Sequence, residues 1–367
     1  MHKYYFMKRF YYLILLFLCA CNPQNTSKDI TELYVEIHDK KTNISNFIEK
    51  VEVIKLETND QCLIHTISKI IYMNEKFYIF DFGNNALFIF NRDGSCDTIL
   101  SKIGMGPGEY RRMMDFHVTD NNILLMDVFR SIKKYTYDLK FTNDIELNTF
   151  SSQFIVKDDA VFLSNESTGS KDDYYFTVIN TCNNDICNYL KMPFTPPDRG
   201  QYGGLNTFVI NKNTVYASPK FSSIIYNYNN HNFSPKYKIK FNKLNFPEKE
   251  NIYDYDIYGP NFPYVVKRNF HISDKYLIFD YFYDKKMYHC FYNLSTEELS
   301  NGIMNNDLVE NFRFFPRWGN DNYLIEEVAA EHVINHFPTL VDLNEQLKDL
   351  KEDDNPVIVL YTLKSED

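Results

Sequence analysis

The chain has 367 residues, a formal net charge of −10 at pH 7, 44% hydrophobic residues and 17% aromatics, with 29 Tyr and 31 Phe against 12 Gly. So many aromatics exclude a largely disordered chain, which would hold too little apolar material to fold. A net-acidic chain also lacks the concentrated basic surface of a nucleic-acid binder, so no nucleic-acid partner is expected. Aromatic side chains favour pleated, half-buried strands, and the composition therefore leans towards an all-β fold.

Lys3, Lys8 and Arg9 precede a short apolar run over residues 11–18. Such a run is too short to cross a hydrocarbon core of ~30 Å as a helix. A basic start followed by a short apolar stretch reads instead as a secretory signal. It ends in Leu18-Cys19-Ala20-Cys21, which resembles the lipobox of bacterial lipoproteins. That resemblance implies a signal peptide over residues 1–20, cleavage after Ala20 and acylation of Cys21. The membrane partner is then reached through a lipid anchor, and the expected location is the bacterial cell envelope, at the outer membrane. An ordinary signal peptide with incidental cysteines is the alternative. Residues 21–49, polar at 22–29, are expected to form the lipidated cysteine and a tether, and residues 50–367 the folded domain.

An internal repeat then organises the chain. Six short apolar segments begin at Lys76, Asn122, Ala160, Thr214, Lys275 and Asn322, at intervals of 46, 38, 54, 61 and 47 residues. Each follows a tight-turn pair such as Asn74-Glu75 or Asp158-Asp159, residues whose side chains bond nearby backbone and tolerate left-handed geometry. Further strand candidates flank every copy, and Asp93-Gly94 between two apolar runs is a hairpin signal. Four-stranded units of about 40–50 residues are propeller blades. The spacing predicts a six-bladed β-propeller.

The last unit has three strand candidates, ending at residues 356–362, and residues 51–57 have the alternation of a missing fourth strand. Pairing the two would close the ring and remove an exposed edge. Residues 341–350 carry helical spacing and are expected as a short helix between the second and third strands of that unit. Five cysteines follow Cys21: Cys62, Cys96, Cys182, Cys187 and Cys290. Their odd number leaves at least one without an intrachain partner. Cys182 and Cys187 bracket a hairpin turn and are the candidate disulfide; no second close Cys or His pair points to zinc.

Ile103-Gly-Met-Gly-Pro-Gly-Glu-Tyr110, together with Leu56-Glu57-Thr58 and Asn355-Pro356-Val357, resembles a signature of the six-bladed β-propeller lipoproteins of Bacteroides-type bacteria. The resemblance spans roughly residues 50–363 and implies the fold; that family is mostly without assigned activity.

The chemistry candidates are sparse. The Gly104–Tyr110 motif lacks the Lys-Ser/Thr of a phosphate loop and reads as a tight blade-to-blade connection with glycines at positive φ. Asp81, Asp127, Asp280 and Glu327, near the ends of repeat strands, are either a ring of metal ligands or ties for their own turns; the second reading is preferred, and no metal or cofactor is expected. The residues from Asn91 to Gly94 lack the spacing of a calcium loop. No catalytic constellation is legible, and His65, His117 and His271 read as channel-side structural residues. Two long connections stand out, 193–204 and 246–264, because long structured loops in compact domains are commonly functional. Tyr202, Tyr253, Tyr255, Tyr258 and Tyr264 offer rings for a sugar or peptide, and Arg111 and Arg268 offer anion contacts, as do Arg112, Arg199 and Arg317. The alternative is that these rings only pack the loops onto the blades. The resulting expectation is a binding or interaction module for a glycan or protein ligand through loops on one propeller face. A metal-assisted hydrolase or lyase with its site at the central channel is the second reading.

Overall fold

The computed structural model describes residues 30–147, 149–166, 174–194, 206–309 and 312–365. Six sheets, each built on a four-stranded antiparallel meander, stand in a ring, a six-bladed β-propeller. From inner to outer strand, blade 1 is Ile67–Met73, Lys76–Asp81, Ala86–Asn91 and Cys96–Leu100. Blade 2 is Met113–Val118, Ile123–Asp127, Ser131–Tyr135 and Phe141–Glu146. Blade 3 is Gln153–Lys157, Ala160–Ser164, Tyr174–Asn180 and Ile186–Lys191. Blade 4 is Phe208–Asn211, Thr214–Ala217, Ile224–Asn229 and Asn232–Phe241. Blade 5 is Val266–Ile272, Tyr276–Tyr283, Lys286–Asn293 and Leu299–Asn305. Blade 6 is Trp318–Asn320, Tyr323–Val328 and Val357–Leu363. Ile48–Lys55 is its outer strand, antiparallel to the third, with Val357 opposite Lys55 and Val359 opposite Val53.

The six recurring segments are the six second strands. Their continuous apolar character follows from burial on both sides, because each blade is covered by a neighbour on either face. Alternation then decides which neighbour a side chain meets. In blade 1, Phe77, Ile79, Phe88 and Phe90 pack with Ile325, Ile358 and Leu360 of blade 6. Tyr78, Phe80, Leu87 and Ile89 pack the other way, with Phe116 and Leu125 of blade 2. The core is thus a set of seams between blades. The tight turns adopt left-handed backbone where expected, at Asn74 (φ 52°), Glu75 (57°), Asp158 (52°), Lys212 (52°) and Asp321 (46°).

Polar bonds near the channel link each blade to the next. Lys69 of blade 1 donates to Asp115 of blade 2 (2.9 Å), whose other oxygen accepts Phe154 N of blade 3 (2.9 Å). Gln153 accepts Thr207 N (3.0 Å), and Asn269 accepts Asn206 N (2.9 Å). His271 Nε2 donates to the Asp321 carbonyl (2.9 Å), and Asn320 accepts Tyr72 N (3.2 Å).

Two expectations change. Residues 31–49 are not a free tether. Thr31–Val35 runs parallel to Asn232–Phe241 as a fifth strand on blade 4, and Lys41–Asn43 does the same beside Leu299–Asn305 of blade 5. Burial of Leu33, Val35 and Ile44 holds this segment to the ring. The helical insert lies between the second and third strands of blade 6, but it begins earlier than expected. It comprises Ala330–His336, Pro338–Leu343 and a 3-10 turn at Glu345–Leu347, anchored by buried Val333, Phe337 and Leu347.

Candidate ligand-binding face

The meander sorts loops by side. Turns from first to second and from third to outer strand share one face, the turn face; second-to-third turns and blade-to-blade connections share the other, the loop face.

Acids on the loop face are tied to backbone. Asp81 accepts the N–H groups of His65 (2.7 Å), Thr66 (3.0 Å) and Gly83 (2.8 Å) and the Asn84 amide (2.7 Å). Asp127 accepts from Arg111 N (3.2 Å) and Arg112 N (3.1 Å), and Asp280 from Asn269 N (2.8 Å). In blade 6 the equivalent residue is Glu326, which accepts Phe315 N (2.9 Å), whereas Glu327 pairs with Arg317 (2.6 Å). In each case the carboxylate supplies the acceptor that the entry to an inner strand lacks. Among the described residues no three His, Cys, Asp or Glu side chains come together as a metal-holding group. His117 and His271 are held neutral by burial, near 3 and 4 respectively, while His65 is exposed at a strand entry.

The glycine motif is the connection from blade 1 to blade 2. Gly108 alone of its glycines has positive φ (72°), and a Cβ there would meet Phe141 at 2.6 Å. At Gly104 a Cβ would meet only the Glu109 carboxylate, the far end of a side chain that can turn aside.

The long connection from blade 4 to blade 5 folds on itself. Phe246 lies 5.4 Å from both Tyr255 and Tyr264, and Phe262 lies 5.6 Å from Tyr264, ring centroid to centroid. Tyr255 donates to Glu250. Buried Ile252 and Ile257 dock the loop on Phe221 and Val266, with Tyr253 packed against them. Tyr258 stands half-exposed, edge to face with Phe282 at 5.2 Å between ring centroids. Tyr202 and Arg199, like residues 195–205 generally, lie outside the described residues, as does Cys21. Arg111 belongs to the blade 1–2 connection, across the ring from the tyrosines, so these candidates do not form one site.

Beside the aromatic loop is a buried charged group that sequence spacing did not reveal. Burial pushes the Lys267 ammonium down to about 8, against the pull of Asp280, Glu166 and Glu248. Asp280 is raised to about 6 by burial, with Arg268 opposing. Glu166, also raised by burial, accepts Lys220 N at both oxygens (3.1 Å each). Lys267 donates to the Arg268 carbonyl (3.3 Å), and Arg268 Nε is buried without a hydrogen-bond partner. These residues come from blades 3, 4 and 5, which is why no linear motif announces them.

Most exposed apolar side chains gather on one face. Leu63, Phe82, Ile103, Met105, Phe129 and Phe150 lie in loop-face segments, as do Leu244, Tyr258 and Leu308. Of the others, Ile30 and Tyr34 lie beside or on the strand Thr31–Val35, Met114 on the inner strand of blade 2, and Ile186 at the turn-face end of the outer strand of blade 3. The turn face carries a small cleft of about 210 Å³ between blades 1 and 2, lined by Asn74, Lys76, Tyr78, Ile89, Asp97 and Tyr137.

The disulfide joins Cys62 and Cys96, not Cys182 and Cys187, which are both free and exposed. The register explains the correction. Cys187 sits opposite Val178 in the ladder, while Cys182 lies beyond the strand end in the turn. Cys290 is free and buried.

The fold is shared with solved structures. One is a protein of Bacteroides fragilis described as exported, 21% identical, covering 91% of this chain and 100% of that one with a TM-score of 0.73. Another is a member of the DUF4221 family from Bacteroides vulgatus, 11% identical, covering 86% and 97% with a TM-score of 0.51. No curated protein matches the chain. The family described as Domain of unknown function (DUF4934) matches residues 31–362, nearly the whole propeller and its N-terminal strands, and the chain belongs to that family.

Proposed function

We propose that the protein is an exported binding module of the bacterial cell envelope, anchored in the outer membrane through an acylated Cys21, that engages a glycan or protein ligand through the loop face. The observation that carries this reading is that nine of the thirteen large exposed apolar side chains among the described residues lie on the loop face. Contiguous exposed apolar surface on a folded domain marks interaction sites. The basic and apolar start of the chain with Leu18-Cys19-Ala20-Cys21 supports export and anchoring, as does the fold likeness to a protein described as exported. A propeller supports many activities, so the reading rests on the face and not on the fold.

Two measurements test it. In a Gram-negative host the full chain should fractionate with outer membranes and incorporate acyl label, and Cys21→Ala should abolish both. The full chain in detergent should bind members of a glycan array or a defined peptide panel, and Tyr258→Ala or Phe129→Ala should weaken that binding. Membrane association and labelling unchanged in Cys21→Ala would refute the anchor. Binding indifferent to every loop-face substitution would refute the face.

A further inference from the structure

We propose that the loop face over blades 1 and 2 is the docking site for an acidic, apolar segment of a partner protein. This rests on the loop face being the binding face, and it adds the part of that face used and the chemistry of the partner.

Five large apolar side chains stand out there: Phe82 is 44% exposed, Ile103 56%, Met105 72%, Phe129 57% and Phe150 41%. The loops that carry them are bonded to one another in sequence. Asn85 donates to the Arg111 carbonyl (3.0 Å), Val128 N to the Arg112 carbonyl (2.9 Å), and Leu147 N to the Arg130 carbonyl (2.7 Å). Ile103 and Met105 project from a loop fixed by Gly104 N to Tyr110 O (3.0 Å), Tyr110 N to Lys102 O (2.9 Å) and Tyr110 Oη to Asn85 O (2.9 Å). A surface ordered before binding avoids part of the entropy cost of association.

Three exposed arginines are interleaved with these side chains. The Arg112 guanidinium lies 4.2 Å from the Phe82 ring centroid, and that of Arg130 lies 3.9 Å from Phe150; Arg111 is the third. The acids of these loops and of the adjoining inner and second strands are engaged elsewhere: Asp81 and Asp127 are buried under backbone N–H groups, Asp115 is buried against Lys69, and Glu109 accepts Gly106 N (2.8 Å). Among the described residues none of the three arginines forms an ion pair. In a chain of net charge −10, the exposed surface of these loops thus presents, among their described residues, three guanidinium groups against the single exposed carboxylate of Glu109, and complementarity selects an anionic partner.

The apolar chemistry selects a protein over a sugar. Met105 and Ile103 offer neither a flat ring nor a hydrogen bond, and Phe82 and Phe150 each already carry a guanidinium. Met, Phe and Arg together are the residues enriched at protein interfaces.

The full chain in detergent is titrated with three labelled synthetic peptides in which Phe and Leu alternate with Glu, with Lys or with Ser, and with polygalacturonate. The Glu peptide is expected to bind at least about tenfold tighter than the Lys peptide. Joint Arg111→Glu, Arg112→Glu and Arg130→Glu substitution should weaken it at least about tenfold, as should Met105→Ala with Phe129→Ala. Both variants should melt as the parent does; if charge reversal unfolds the chain, Arg→Gln at the same positions carries the same test. Glu-peptide binding indifferent to either set overturns the proposal. So does polygalacturonate binding that needs the arginines but not Met105 or Phe129, which would make the partner a glycan. Binding lost on Tyr258→Ala but untouched by both sets would overturn this proposal while sparing the loop-face reading. Binding untouched by all of them would remove both.

Discussion

Tyr361 donates its hydroxyl to Glu326 Oε2 at 2.9 Å in the interior of blade 6, and the same oxygen accepts Phe315 N at 2.9 Å. The pair comes from adjacent strands and is buried within an otherwise apolar cluster. Burial outweighs these two donors and lifts the Glu326 carboxyl from 4.5 to about 7.

A raised carboxyl binds its proton more tightly in the folded state. Its contribution to stability is therefore complete below pH 4.5 and is lost as pH rises through about 7, by roughly 3 kcal/mol. Buried His271 and His289, both lowered, act in the opposite sense as pH falls, so the difference between variants is the useful quantity. Glu326→Gln keeps an acceptor for both donors and removes the titration. Urea midpoints from pH 4.5 to 7.5 should fall less steeply for the variant than for the parent. Parallel slopes would contradict the assignment.

Asp81 joins the entry of the inner strand of blade 1 to its second-to-third turn through four backbone N–H groups and the Asn84 side-chain amide. Asp81→Ala leaves donors without acceptors, each costing about 1–3 kcal/mol when buried. The variant should lose about 3 kcal/mol or more in chemical denaturation, and Asp81→Asn clearly less. Equal losses would show that the charge, not the count of acceptors, matters.

The Cys62–Cys96 bond spans a sequence separation of 34 and ties the connection leading into blade 1 to that blade's own outer strand. Replacing both by Ala should cost about 2–4 kcal/mol, read as a lowered melting temperature that reductant does not lower further. Alkylation of the native protein should label Cys182 and Cys187, with Cys290 labelled only after unfolding. A native protein that protects Cys182 and Cys187 until reduced would contradict this pairing.

The aromatic loop between blades 4 and 5 separates into structural and free rings. Phe246 contacts three other rings and the apolar cluster beneath them, so Phe246→Ala should cost about 2–4 kcal/mol. Tyr258 is half-exposed, and Tyr258→Ala should stay within about ±0.5 kcal/mol. Thermal melts of the two variants would reverse this order if Tyr258 were the anchor.

The sequence by itself determined the blade count. Each second strand is buried on both faces and so reads as an apolar run after a left-handed turn, wherever its neighbours lie. It also placed the helical insert in the last blade and indicated Asp81 as a tie for its own turn, because both signals act over a few residues; the Asp127 carboxylate instead accepts from Arg111 and Arg112, some fifteen residues back at the entry of the inner strand. The strand Thr31–Val35 was harder to see. Its alternation is short, and its partner, Asn232–Phe241, lies some two hundred residues away. The same distance in sequence hid the Lys267–Glu166–Asp280 group, the arginine-rich apolar patch and the true disulfide partner of Cys62. Pattern reports which residues are buried; only the closing of the ring decides which of them meet. Cys182 and Cys187 were near in sequence yet out of register, whereas Cys62 and Cys96 became neighbours because Ile48–Lys55 is laid against the last blade just before blade 1 begins.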